Sequence, residues 1–194
     1  RRQWRLVLAG ALILGATTIV WNGFWNFYTL YAQSKGLSAG TANLLLTGMF
    51  AAGVPSFWFA GRLADRVAYV PLLISVIGLF VVCLFTLTYA TGLLAIAAVT
   101  LVTGAVVHCL FPTIDTFMLD SLPDEDRSSA YSAYSAGMMT LQATGGTVVG
   151  VLSTYTSYDA TFRVLAVALG VVVVALVVLH RANVLPEGAA ETPT

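Results

Sequence analysis

The sequence predicts an all-α membrane protein with six transmembrane helices, and three observations carry that prediction. Of its 194 residues, 58% are hydrophobic and only 9% are charged, against about 25% charged in an ordinary soluble domain. The apolar residues gather in runs long enough to cross a bilayer, as in Leu165–Leu179 with Ala160–Val164 ahead of it. Gly, Pro and charged residues divide the chain into six such segments. The same composition excludes other classes. Nine basic side chains balance nine acidic ones, so no basic face tracks phosphates and nucleic acid is not a partner. Cys83 and Cys109 lie inside apolar runs and read as packing residues, with no disulfide or zinc framework. No cofactor and no metal are expected. The chain begins at Arg1 rather than Met, so further residues are expected upstream. Its first apolar run is longer than the ~7–15 residues of a signal-peptide core.

The segments lie near Leu6–Gln33, Thr41–Ala64, Val70–Tyr89, Leu93–Leu119, Ser128–Tyr155 and Ala160–His180. Each supplies the ~20 residues that cross ~30 Å of hydrocarbon. Helices are the open-chain solution there, because every backbone polar group must be paired internally. Short connections such as Ser34-Lys35-Gly36-Leu37 and Tyr89-Ala90-Thr91-Gly92 force neighbours to run antiparallel. The polar stretch from Arg181 to Thr194 has no apolar period and reads as a disordered tail. Arg1, Arg2, Arg5, Arg62, Arg66, Arg127 and Arg181 fall on one side of the bundle, and Lys35 and Arg163 on the other. The positive-inside rule then puts both termini in the cytoplasm.

The six segments differ in kind. Helix 1 carries Thr18, Asn22, Asn26, Thr29 and Gln33 at spacings of four, four, three and four, one continuous helical face. Two amides in hydrocarbon are costly unless they bond to a neighbouring helix or to water. They act either as interhelical glue or as the wall of a wet cavity, with Trp21, Trp25 and Tyr28 as flat amphipathic contact surfaces. Helix 2 ends in the charged stretch Gly61-Arg62-Leu63-Ala64-Asp65-Arg66. Helices 3 and 6 are apolar all round and read as lipid-facing over most of their circumference. Helix 4 holds His108 near mid-span and Asp115 seven residues on, about 10 Å along the axis. Pro112 between them frees a carbonyl near Val107 or His108. His108 is the residue type a proton relay uses, whereas Asp115 lies close enough to the cytoplasmic end to be solvated. Helix 5 opens on Pro123, Asp124, Glu125 and Asp126, which suit a first turn. It places Ser135, Met138 and Gln142 on one face and continues into the small-residue surface Gly145-Gly146-Thr147-Val148-Val149-Gly150.

The loop Gly61-Arg62-Leu63-Ala64-Asp65-Arg66-Val67-Ala68-Tyr69-Val70 resembles the cytoplasmic signature of the major facilitator superfamily, Gly-x-Leu-Ala-Asp-Arg followed by Gly and basic residues. Its first half matches; Ala68, Tyr69 and Val70 replace the Gly and the basic pair. The stretch Leu122-Pro123-Asp124-Glu125-Asp126-Arg127-Ser128-Ser129-Ala130-Tyr131 is similar to that family's approach to the helix after the fourth or tenth span. The resemblance implies half of a twelve-helix fold, built as a three-plus-three inverted repeat. The degenerate signature, a fourth helix without an intramembrane Arg and the polar tail point to the second half. The Gly-Pro signature of antiporters is absent from helix 5.

What the resemblance implies in function is one half of a secondary transporter in the plasma membrane, moving a small molecule by alternating access beside a second six-helix half, supplied by the same native chain or by a second copy. The expected cavity is lined by Asn22, Trp25, Asn26, Thr29, His108, Asp115, Met138 and Gln142, with His108 as the proton relay. That wall is nearly neutral and aromatic, which favours an uncharged or amphipathic solute. Gly61, Arg62, Asp65 and Arg66 form the loop signature. Asp65 is placed to latch one conformation by accepting from an adjacent helix start, and Arg62 and Arg66 to pair with Asp120, Asp124 or Asp126. Two rivals stand beside this reading. A six-helix assembly subunit would use the helix 1 amides as glue. An intramembrane hydrolase would need Ser135 against His108 as nucleophile and base, and no oxyanion-hole sequence accompanies them.

Overall fold

The computed structural model describes residues 2–64, 66–121 and 127–183, with side chains from residue 15 onward except those of 64, 117–121, 127 and 130. Among them are six helices: α1 (Arg2–Ser34), α2 (Ala39–Ala64), α3 (Tyr69–Tyr89), α4 (Leu93–Ser121), α5 (Arg127–Tyr155) and α6 (Tyr158–Arg181). The turns after α1, α3 and α5 occupy only residues 35–38, 90–92 and 156–157. Gly36 (φ 88°) and Gly92 (φ 78°) take the left-handed backbone that closes the first two. Ser38 accepts from the Thr41 N–H at 3.2 Å, and Ser157 accepts from the Ala160 N–H at 3.2 Å. Each satisfies a donor that a helix start leaves open. Because neighbours run antiparallel, the start of α1 and the end of α6 lie at one end of the bundle and these short turns at the other. The expected tail beyond residue 183 lies outside the described residues.

Helix α2 packs mainly on α4, and α5 on α1; α3 bridges α4 and α6. The exchange of α1 with α4, α2 with α5 and α3 with α6 turns the first pair into the second, which is the relation an inverted repeat demands. Both pairs are parallel and both close on glycine. A Cβ at Gly104 would strike the Met49 carbonyl oxygen, with Met49 Cα 2.9 Å away; one at Gly145 would strike the Ile19 carbonyl oxygen, with Gly23 N at 2.8 Å. Backbones this close gain dispersion contacts that lipid cannot supply.

The core corrects one expectation. Helix α3 buries one side and leaves the other open: 44% of its apolar window is buried, against 22% for α2, while Leu79 and Val82 are exposed. Ile77, Phe80, Leu84 and Leu87 of α3 meet Phe24, Tyr28 and Tyr31 of α1 and Phe162, Leu165 and Leu169 of α6 in one cluster. An apolar helix is compatible with lipid and with a core alike, and hydropathy does not distinguish them. Trp21 and Tyr28 are likewise withdrawn into the core rather than spread along a wet wall. The Tyr28 hydroxyl finds its partner in Thr100 Oγ1 of α4, 2.6 Å away. By length and composition α2, α3, α4 and α6 qualify as apolar spans. Helix α1, over its described side chains, and α5 carry the polar residues, and these two pack on each other.

At the turn end a charged cluster ties α1, α3 and α6 together. Lys35 Nζ lies 2.9 Å from Asp159 Oδ1 and also donates to the Thr88 carbonyl at 2.8 Å. Arg163 Nε donates to Thr88 Oγ1 at 3.1 Å, and its guanidinium covers the Tyr89 ring at 4.4 Å. Asp159 sits in the first turn of α6, where the helix dipole favours it. Asp159→Asn is expected to lower stability by about 1 kcal/mol, since the pair is only partly shielded and Lys35 keeps Thr88. Thermal unfolding in detergent at two salt concentrations measures it.

Candidate functional site

The site grows from the geometry of α1. At 100° per residue, Asn22, Asn26, Thr29 and Gln33 fall within about 60° of one another. Phe24, Tyr28 and Tyr31 point the opposite way, into the core. The polar stripe is therefore the side of α1 turned from its own bundle, and Asn26 and Gln33 are exposed. Helix α2 flanks the stripe on one side: Trp25 meets Phe50 edge-on at 5.8 Å, and Thr29 Oγ1 donates to Asn43 Oδ1 at 3.0 Å. Helix α5 flanks the other, with Asn22 Oδ1 4.0 Å from where a Gly146 Cβ would lie. Gln142 stands one turn before Gly146 on the same α5 face, and Met138 one turn before that. The stripe thus floors a groove between α2 and α5. Of the expected lining positions, Asn22, Trp25, Asn26 and Thr29 lie on or beside the stripe, and Gln142 is placed on the adjoining α5 face by its register with Gly146.

Hydroxyls and amides behave differently on these helices. On α5, Thr140 donates to the Ala136 carbonyl at 2.8 Å, Thr144 to Leu141 at 2.7 Å and Thr154 to Val151 at 2.7 Å. Each hydroxyl is satisfied by its own helix and asks nothing of its surroundings. A carboxamide, with two donors and two acceptor lone pairs, is harder to satisfy. Asn26 Nδ2 reaches the Asn22 carbonyl at 2.8 Å and Asn22 Oδ1 at 3.1 Å. Asn22 Nδ2, Asn26 Oδ1 and the whole Gln142 amide have no hydrogen bond to another described residue. Within the six helices the α1 amides do not act as glue; Thr29 is the member of the stripe that bonds across to another helix.

His108 lies outside the groove. Its ring is buried among Trp21 at 5.7 Å, Phe50 at 5.6 Å, Phe57 at 5.6 Å and Phe111 at 6.0 Å. Phe50 separates it from Trp25. His108 Nδ1 is 2.7 Å from the Gly104 carbonyl, one turn back on α4. A carbonyl only accepts, so Nδ1 carries the proton and Nε2 is left as the basic atom. The glycine at position 53 makes room for the ring, since a Cβ there would strike it. These ring neighbours come from α1, α2 and α4, and among the described residues the imidazole's hydrogen bond goes to Gly104 and not to Ser135. Asp115 is separate again, toward the terminal end, where Oδ1 accepts from the Tyr131 hydroxyl at 3.0 Å. This bond joins α4 to α5, which otherwise touch little.

Of the loop signature, Gly61 and Arg62 belong to the last turn of α2, and the Arg62 guanidinium stacks on Trp58 at 3.7 Å. Arg66 is exposed, its N–H donating to the Leu63 carbonyl at 3.0 Å. Asp65, Asp124, Glu125 and Asp126 lie outside the described residues, as does the Asp120 side chain, so the expected latch and ion pairs fall beyond them. Sequence reasoning missed Asn43 and Phe50, which complete the α2 wall. Asn43 is an amide inside an apolar segment, the same signal that singled out Asn22. Phe50 carries no such mark, since an apolar helix offers many equivalent aromatics.

A six-helix bundle with apolar spans and an amide stripe on its open side defines the class: a polytopic membrane domain. The Major Facilitator Superfamily profile matches residues 9–194, and the chain belongs to that family. It is 32% identical over 84 residues to a D-galactonate transporter of Escherichia coli O6:H1, a match covering 43% of this chain and 19% of that one. Its fold superposes on a mutant of the peptide transporter POT in complex with alafosfalin with a TM-score of 0.77, at 19% identity, over 91% of this chain and 38% of that one. It also superposes on a bacterial homolog of the human lysosomal transporter Spinster, in an inward-facing and unoccupied conformation, with a TM-score of 0.70 at 15% identity, over 100% and 46% of the two chains. The chain thus spans less than half the length of the transporters it matches.

Proposed function

We propose that the chain is one half of a secondary transporter that moves a small solute by alternating access, with the α1 groove as its half of the pathway. The observation that carries this reading is the direction of the polar stripe. Its amides face away from their own core, between α2 and α5, where only water, a solute or a second set of helices can satisfy them. The family, the fold and the less-than-half length of the match all favour a second six-helix half across that groove. The excess of arginine at the terminal end favours cytoplasmic termini, and a plasma membrane location is part of the same proposal. The wall is nearly neutral, which favours an uncharged or amphipathic solute, and D-galactonate is a natural probe beside such solutes because of the matched relative. Uptake into proteoliposomes that hold this half together with its second half tests the reading. Saturable flux of some member of such a panel is expected; its absence from a folded, complete protein rejects it.

In this proposal His108 is the proton relay, through Nε2. Alternation would open the Phe50 and Phe57 layer, and the imidazole would then exchange its proton with the groove. His108→Gln keeps a similar size and a donor to Gly104 but cannot take up a proton. It is expected to preserve solute exchange at equal concentrations while abolishing accumulation driven by a pH gradient. Accumulation at the unsubstituted rate would remove His108 from the coupling mechanism. Asp115 and Met138 line the path toward the cytoplasmic end.

A further inference from the structure

We infer that this half of the protein recognises the hydroxyl groups of a polyhydroxylated solute, not a charged group. The inference rests on the transport reading above and adds to it the chemistry of the ligand. Of the carboxamides along the groove, Asn43 of α2 accepts from Thr29 and Gln33 donates to the Thr29 carbonyl. The other three are Asn22 and Asn26 on α1 and Gln142 on α5. Asn26 Nδ2 is already committed to Asn22. The atoms left over are the Asn22 amide protons, the Asn26 carbonyl oxygen and both ends of Gln142. This mixture of donors and acceptors complements hydroxyl groups, each of which donates once and accepts twice. The neighbouring ring is Trp25, half-buried and held edge-on against Phe50. Its free face offers a flat apolar platform beside the amides, suited to the C–H face of a carbon chain or ring. The absence of a side chain at Gly146, opposite Asn22, leaves room for a ligand group at the seam.

Charge recognition lacks a partner in this wall. All nine basic residues of the chain are near helix ends or in turns. Lys35 and Arg163 are engaged in the cluster at the turn end, and Arg62 is stacked on Trp58. The imidazole of His108 is behind Phe50. Among the described side chains, a carboxylate brought into the groove would meet amides and tryptophan but no Lys or Arg, and burying it unpaired is unfavourable. Any anionic group of a substrate is therefore held by the other half, and this half reads the hydroxyls.

Three six-carbon probes separate these possibilities: D-galactonate with hydroxyls and a carboxylate, galactitol with hydroxyls alone, and hexanoate with a carboxylate alone. Binding is read by quenching of tryptophan fluorescence in the complete protein, with Trp25→Phe identifying the Trp25 component, and by competition for uptake. Galactitol and D-galactonate are expected to quench and compete, and hexanoate to do neither. Gln142→Leu and Asn26→Leu are each expected to weaken galactitol about tenfold, the value of one or two hydrogen bonds. Trp25→Tyr should retain binding that Trp25→Ala loses, which separates a lost platform from a lost fold; unfolding temperatures of all variants check the same point. Competition by hexanoate but not by galactitol overturns the inference and leaves the transport reading standing. So does saturable transport of a solute without hydroxyls when none of the three probes binds. Absence of transport of any solute by the folded, complete protein defeats both.

Discussion

Gly104→Val is expected to be the most damaging single substitution on stability, lowering it by about 3 kcal/mol or more. Overpacking a core ordinarily costs about 1–3 kcal/mol because side chains can shift. Here the new atoms would meet the Met49 carbonyl group and Cα, which cannot move without moving α2. Helices α2 and α4 would separate, and the His108 ring, seated one turn farther along α4 against Gly53, would lose its cavity. A fall of roughly 6–12 °C in unfolding temperature follows for a chain of this size, measured in detergent by loss of soluble, monodisperse protein. Gly61→Val serves as the control, since nothing lies within 4 Å of where its Cβ would be. Equal stability of the two variants would show that the glycine contact at the α2–α4 seam is unimportant.

The largest effect on activity is expected from Asn22→Leu combined with Asn26→Leu. If the amides bind solute or its water, flux falls by a hundredfold or so, about tenfold for each amide's hydrogen bonds to the moving ligand. Folding and association with the second half should persist, because within the bundle these amides bond to each other rather than to a neighbouring helix. An assembly subunit predicts the reverse pattern: association lost, since the amides would then be the glue between complexes. Pull-down of the second half and uptake, measured on the same preparation, separate the two. Full flux with both amides removed would defeat the transport role of the stripe.

Much of this was legible from residues. The stripe Thr18, Asn22, Asn26, Thr29 and Gln33 defines a face by periodicity alone, because the angle between residues on a helix is a property of the backbone. Gly36 and Gly92 mark turns because only a residue without Cβ adopts those angles freely. The match of Gly61 to Arg66 with a transporter loop agreed with the family. Other features could not be read. Trp21, Trp25 and Tyr28 are alike in chemistry, yet Trp21 and Tyr28 are sunk in the core and Trp25 stays at the rim. Their angular positions on α1, and the helices that occupy those angles, make the difference. The apolar α3 reads as lipid-facing over most of its circumference yet buries one whole side in the core, because hydropathy measures compatibility with an apolar medium and is silent on whether that medium is lipid or protein.

By itself the sequence determined the class of protein, the six helices and the angular face on which the amides of α1 lie, since composition and helical period are local properties. Tertiary structure decided which side of α1 is open, that Asn22 and Gln142 share one groove while His108 lies behind a layer of phenylalanine, and that Asp115 joins Tyr131 farther along. Those outcomes depend on which helices touch, and that is set by the glycines of two distant seams. Contact between backbones is a fit between two surfaces, and one surface read alone does not contain its partner.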